Sequence, residues 1–380
     1  MTPSLLGGLT PQQFIDTVWQ QQPLLVRNAL PAIGGIIDGN DLAGIACEPD
    51  GEARLVITDP QQTDWQCEHG PFRAARFKKL PASHWTLLVQ SVDQWIPEIG
   101  ALLEHFSFLP RWRLDDIMIS YATDGGGVGP HFDYYDVFLL QASGQRRWQV
   151  GQRCDEQSPL RNNPQLKLLR DFEQCADYTL ATGDMLYLPA GVAHWGTAVG
   201  DDCITISVGF RAGSHRELLQ AAVETLADTL PANARYRDTP AAIDPDPYRI
   251  NDAAIDQLVA LWQSLPAEAI RSALAQALGE FATVPRYEQR IPPDDVPDDQ
   301  ALARALASKR GLAVSHNPGS RFAWRQLDAA QAELFVDGGM LCTTPALARA
   351  VCRGHITAAD CPDAGGRALL LALLERGSLL

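Results

Sequence analysis

Between Asp115 and Phe210 the chain runs through a series of short strand-forming stretches with turn residues between them, and this pattern restricts the fold more than any other. The stretches are Ile117-Met118-Ile119-Ser120-Tyr121, Val137-Phe138-Leu139-Leu140-Gln141, Arg147-Trp148-Gln149-Val150, Asp184-Met185-Leu186-Tyr187-Leu188 and Ile204-Thr205-Ile206-Ser207-Val208. Branched and aromatic side chains favour extended backbone. Gly125-Gly126-Gly127, Ser143-Gly144, Thr182-Gly183 and Ala190-Gly191 mark the turns. Many short strands at this spacing predict an antiparallel sandwich or a small barrel.

The flanks read differently. Upstream, Thr10-Pro11 opens a helix to Trp19, and Pro23 ends it. Short strands are expected at Leu24–Arg27 and Arg54–Thr58, and helical apolar spacing is read from Trp85 to Leu103, broken at Pro97. Downstream, Ser214 with Glu217 three residues on is a capping box for a helix to Leu230. A helix pair follows at Ile250–Leu265 and Ala267–Phe281. The acidic, proline-rich run Ile291–Asp299 reads as a linker. Beyond it come a helix at Ala301–Ala307, strands around Phe322 and Glu333, a Gly338-Gly339 turn, a further strand and two helices, the last at Arg367–Leu374. That order suits a small winged-helix-like α+β module. The expected division is a mainly β domain over 1–211, a helical region over 212–290 and the C-terminal module over 300–380.

Composition narrows the partners. The chain has 380 residues, 46% hydrophobic and 20% charged, with a formal net charge of −15. Such a surface repels nucleic acid and anionic membranes and attracts basic proteins. No apolar run approaches the roughly 18–20 residues of a membrane span. Met1-Thr2-Pro3-Ser4 has no cationic head of a secretory signal, and the eight cysteines form no Cys-x-x-Cys pair. The expectation is a cytoplasmic protein with reduced thiols and no direct binding to nucleic acid or membrane.

His131-Phe132-Asp133 follows the glycine-rich Gly125–Pro130 approach. On extended backbone, residues two apart share a face, so one imidazole and one carboxylate can converge. A third ligand is offered by His194, which begins a strand after Pro189-Ala190-Gly191. A His-x-Asp triplet alone is an ordinary surface turn; joined to a strand-rich frame and a Gly-Asp…Pro-x-Gly-x-x-His segment it points to metal. Two histidines and one carboxylate form the facial triad of non-heme iron(II) oxygenases, leaving three positions open. A bidentate 2-oxo acid fills two and dioxygen the third. Closed structural zinc would want four protein ligands, usually with cysteine.

These residues resemble the JmjC-type, 2-oxoglutarate-dependent oxygenases, and within them the bacterial ribosomal oxygenases. The resemblance runs through Phe14…Trp19…Pro23–Val26, Gly70–Phe72, Trp85–Gln90, Leu114–Ser120, Gly125–His131, Tyr135–Phe138, Arg147-Trp148 and Ser207–Arg211. It implies a double-stranded β-helix, or cupin-like jelly roll, with a helical dimerisation region and a C-terminal winged helix. It implies iron(II), with 2-oxoglutarate and dioxygen as cosubstrates, and an arginine of a large-subunit ribosomal protein as substrate. Arg146, two residues before Trp148, fits the cation that grips the far carboxylate of 2-oxoglutarate, with Arg147 as its rival on the other face of the strand. Ser120, Thr205 and Ser207 are the hydroxyl partners expected around it. On the substrate side the expected residues are Asp115, against a guanidinium, and Tyr134, as a stacking wall. Two departures bear on substrate choice: Gln145 stands where relatives carry another arginine, and Gly196–Cys203 is one residue longer. Competing readings are a cupin-type isomerase, whose site recruits a further His or Glu, and a non-catalytic binding protein.

Overall fold

The computed structural model describes residues 5–163, 165–286 and 295–380. The chain divides into two compact units, Met1–Ala212 and Gly213–Leu380.

In the first unit the strands are β1 (Leu24–Val26), β2 (Ala53–Thr58), β3 (Trp65–His69), β4 (Trp85–Val89), β5 (Leu114–Ala122), β6 (Val137–Arg153), β7 (Ala176–Ala181), β8 (Met185–Leu188) and β9 (Val192–Phe210). They form one antiparallel sheet in the order β1-β8-β6-β9-β5-β4-β2-β3, with β7 also paired to β6. The long antiparallel pair of β6 and β9 shapes it. Residues Val137–Leu140 of β6 lie between β8 and β9, whereas Gln145–Val150 lie between β7 and β9. Register shifts at Gln141/Ser143 and Ser143/Gln145 separate these stretches. Such bulges bend both strands, so the pair passes from one layer of the jelly roll to the other.

The two faces of the larger layer differ in chemistry. Leu55, Leu87, Ile119, Ile206 and Leu140 face outward onto the N-terminal segments and share a core with Phe14, Leu42 and Phe106. The other face looks into the roll. There the register aligns Arg54, Leu88, Ser120, Thr205 and Gln141 in one row across β2, β4, β5, β9 and β6. Ala198, from the smaller layer, packs against Ala122 and Cys203 of this face and closes the interior.

Thr10 and Gln13 make a full capping box for α1 (Pro11–Thr17). Behind the sheet, the fully buried Tyr187 hydroxyl donates to Asp136 Oδ1 at 2.7 Å and accepts from the Gln20 backbone N–H at 2.7 Å. Gln20 Nε2 donates to Asp136 Oδ2 at 3.0 Å, so three distant segments share one polar knot. Tyr187→Phe would strand a buried carboxylate oxygen and an N–H. The expected cost is about 1–3 kcal/mol, read as a lower denaturation midpoint with unchanged denaturant dependence.

Two expectations are corrected here. The helix read from Trp85 is strand β4, followed by short turns and α4 (Pro97–Gly100), with α2 (Gly39–Ile45) and α3 (Ala74–Phe77) preceding it. Flanked by β2 and β5 and almost wholly buried, β4 needs a continuous apolar run, and periodicity cannot tell such a run from a helix. Second, β3 and β7, which carry polar residues at alternate positions, went unread.

The second unit holds α5 (His215–Asp228), α6 (Asp252–Ser264), α7 (Ala267–Thr283), α8 (Asp299–Leu306), α9 (Pro345–Arg353) and α10 (Ala364–Glu375), with short strands β10 (Leu312–Ala313) and β14 (His355–Ile356) and the meander β11 (Phe322–Gln326), β12 (Ala332–Val336) and β13 (Gly339–Thr343). The Ser214–Glu217 capping box forms as expected. Small residues let α5 and α7 pack closely through Ala222, Leu226, Ala273 and Ala277. α7 also lies on the meander: a Cβ at Gly279 would stand 2.5 Å from the Phe335 ring. Leu302, Leu334, Val351 and Leu370 centre the winged-helix core. Residues 291–294 of the expected linker lie outside the described residues, and Asp298 caps α8. Among the described residues no helix is long and apolar enough to cross a membrane.

Candidate metal centre and cosubstrate pocket

His131 and His194 face each other as an antiparallel pair, each backbone N–H donating to the other's carbonyl at 3.0 and 2.8 Å. Directly opposed residues put their side chains on one side, and the imidazole centroids stand 4.2 Å apart. The glycine run makes this approach possible: a Cβ on Gly127 would come within 2.3 Å of the Gly196 carbonyl oxygen. Gly191, with φ of +78°, turns the chain into β9 and donates its N–H to the Asp133 carbonyl at 2.7 Å. The Asp133 carboxylate is thereby held 3.9 Å from His131 Nε2 and 3.6 Å from His194 Nε2. Ligand atoms of all three residues lie within 4.8 Å of one another.

The tautomers follow from the partners. His131 Nδ1 lies 3.0 Å from the Gly129 carbonyl and His194 Nδ1 2.9 Å from the Val192 carbonyl. A carbonyl only accepts, so each Nδ1 carries the hydrogen, which leaves the Nε2 atoms, on the side of Asp133, as the ones to hold a metal. This is the outer arrangement that orients metal-binding histidines. Burial first, then the His131 ring, pushes His194 down to about 4, so it is a neutral donor at pH 7. Three donors on one side fit a divalent metal with open positions.

Deeper in the roll, Arg146 is opposite Ala198, and Trp148 opposite Gly196, on the face that carries His194. Arg146 is 3% exposed, and its Nε and Nη2 find no acceptor among the described residues. Its guanidinium stands 5.7 Å from the Trp148 ring, which is itself 5.9 Å from His194. A buried cation with unused parallel donors, one aromatic ring away from the triad, fits a carboxylate ligand. Arg147 points the other way and is engaged by Asp177 at 3.0 Å. Ser120, Thr205 and Ser207 are all buried on the interior face. The Thr205 hydroxyl donates to Gln141 Oε1 at 3.1 Å, and Gln141 is fixed by donating Nε2 to the Ser143 carbonyl at 2.7 Å. The Thr205 proton therefore points away from any carboxylate bound there.

The expected substrate residues stand outside this cluster. Asp115 and Asp116 occupy a bulge between Leu114 and Ile117 of β5, not a turn before it. Arg211 holds Asp115 at 3.0 Å, while buried Asp116 accepts from the Ser91 N–H at 2.9 Å. Tyr134 is 59% exposed and packs edge-on against Phe132 at 5.1 Å. Sequence reasoning missed Gln141 and Tyr135. Although Tyr135 is 43% exposed as a residue, enclosure of its hydroxyl first, then the charges of Asp133 and Asp116, push the phenol up, with Arg54 opposing them. Signals for both existed: Tyr135 follows Asp133 by two, and Gln141 is the one amide closing an apolar strand run.

A jelly roll whose interior carries a His-x-Asp…His set beside a buried arginine defines a JmjC-type oxygenase domain, and a JmjC domain family model matches residues 101–218. A ROXA-like winged helix model matches residues 260–379. The chain belongs to the JmjC-domain ribosomal oxygenases. It is 35% identical over 316 residues to a probable ribosomal oxygenase of Haemophilus influenzae, covering 81% of this chain and 77% of the relative. To the ribosomal protein uL16 3-hydroxylase of Escherichia coli it is 34% identical over 284 residues, covering 75% and 74%. A crystal structure of Escherichia coli YcfD superposes with a TM-score of 0.83 at 31% identity over 98% of both chains. Another, of YcfD with cobalt and 2-oxoglutarate, gives 0.81 at 30% over the same 98% of each.

Proposed function

We propose that this protein is an iron(II)- and 2-oxoglutarate-dependent hydroxylase of an arginine side chain in a large-subunit ribosomal protein. The observation that carries the reading is the pairing of an open His131–Asp133–His194 triad with the unsatisfied, buried Arg146 guanidinium. Bound iron(II) and 2-oxoglutarate would supply dioxygen-driven oxidation of an unactivated C–H, with succinate and carbon dioxide released. The chain's own part is placement. The triad would fix the metal on one side, leaving the other side for cosubstrate and dioxygen. Arg146 would grip the far carboxylate, Ser120 and Ser207 would donate to it, and Thr205, its proton turned to Gln141, would shape the wall. Asp115 and Tyr134 would meet the substrate side chain at the mouth.

The relative that carries the name uL16 3-hydroxylase supports a ribosomal protein as substrate. A net charge of −15 suits a basic protein partner in the cytoplasm and disfavours direct contact with nucleic acid. The test is mass spectrometry of purified uL16 incubated with enzyme, iron(II) and 2-oxoglutarate. One added oxygen on an arginine, matched by succinate, is expected; oxygen-independent turnover of a sugar phosphate would replace this reading with the cupin isomerase. We further propose a homodimer through the helical region. α6 buries none of its residues, and Ile255, Leu258, Val259 and Trp262 are 45–53% exposed on it. Light scattering should give twice the 41.5 kDa chain mass, and a monomer at micromolar concentration would refute the dimer.

A further inference from the structure

The interior face of the roll carries a second set of unsatisfied groups, away from Arg146. Arg54 on β2 heads the row that runs through Leu88 to Ser120 and Thr205, so its side chain starts on the interior face. Gln90 follows β4 directly and extends the ladder by donating its N–H to the Glu52 carbonyl at 2.9 Å. Two residues beyond Leu88, Gln90 therefore shares that face and lies diagonally across from Arg54. Arg54 Nε is a buried donor and Gln90 Oε1 a buried acceptor, and neither has a partner among the described residues. Burying such a group without a partner is unfavourable, so a ligand that meets both is favoured.

These groups lie on the triad's side of the roll. In that row only Leu88 separates Arg54 from Ser120 of the cosubstrate pocket, with Thr205 next beyond it. A donor and an acceptor on neighbouring strands of one face together complement one chemical group: an amide, whose C=O accepts and whose N–H donates. A free carboxylate would satisfy Arg54 and repel Gln90 Oε1; a guanidinium would do the reverse.

We propose that Arg54 and Gln90 form a subsite for one backbone peptide group of the substrate segment, Arg54 donating to its carbonyl and Gln90 accepting from its N–H. The subsite rests on the protein-hydroxylase reading above. It makes substrate choice depend on how the chain is presented beside the hydroxylated residue as well as on that residue.

The probes are a uL16-derived peptide containing the hydroxylated arginine and twins in which one amide near that arginine is an ester, which lacks the N–H. In Gln90→Leu and Arg54→Met, KM for the parent peptide should rise about tenfold, roughly one hydrogen bond's worth, while kcat holds. One ester twin should be impaired with the unsubstituted enzyme and not further impaired with Gln90→Leu. Hydroxylation with unchanged KM in both variants overturns the subsite and leaves the hydroxylase reading standing. So does a loss traced to a side-chain amide of the peptide by replacing its Asn and Gln residues. Absence of any hydroxylation by the unsubstituted enzyme removes the reading itself.

Discussion

Replacing His131 with alanine is expected to abolish conversion of 2-oxoglutarate to succinate, a loss of about a thousandfold or more. Loss of a group that merely orients a metal ligand typically costs 10–100-fold, and His131 is itself one of only three candidate ligands among the described residues. The fold should survive the change. The pairing of residue 131 with His194 runs through backbone N–H and carbonyl groups, which alanine retains. The imidazole is partly exposed at the interior mouth, so little packing is lost. Iron content after dialysis, succinate release and circular dichroism together check this. A folded variant that binds no iron and makes no succinate is the expected result; turnover retained without the imidazole would reject the triad. Asp133→Ala should behave alike, since its carboxylate is the one anionic member of the set.

Much of this centre was legible because it depends on short-range rules. Period-two geometry puts His131 and Asp133 on one face, and the Pro189–Gly191 turn starts a strand that presents His194. Arg146 was legible only through the family resemblance, which implies a cation two residues before an aromatic; the regular stretch of β6 puts it on one face with Trp148. Counting instead from Gln141, which faces inward, would have put Gln145 and Arg147 inside. The register shifts between Gln141 and Gln145 invert that parity, and no local residue pattern announces how many shifts occur. The Arg54–Gln90 pair lies further from reach. It arises from the pairing of β2 with β4, a long-range register that one sequence does not encode visibly. The misread β4 has the same cause: a strand flanked on both sides loses its alternation, and only its neighbours reveal it.

Arg146→Met is expected to raise KM for 2-oxoglutarate about 100- to 5000-fold and, unusually for a buried residue, to leave the ligand-free protein as stable as before or more so. The two effects share one cause. Removing one partner of a buried ion pair costs about 3–5 kcal/mol, which is the affinity lost once the cosubstrate's carboxylate has no guanidinium to meet. Without ligand the account reverses. Arg146 then keeps Nε and Nη2 buried with no acceptor among the described residues, so a methionine of similar length relieves a desolvated charge. Arg146→Lys should fall between, keeping the charge but losing the two-pronged grip. Arg147→Ala is the control, because its pairing with Asp177 is half-exposed, and such surface pairs contribute about 0–1 kcal/mol. Succinate kinetics over a range of 2-oxoglutarate concentrations and thermal melts without ligand separate the possibilities. An arginine serving only the fold would show the opposite signature, a lower melting temperature with KM for 2-oxoglutarate unmoved, and that result would end its assignment to the cosubstrate.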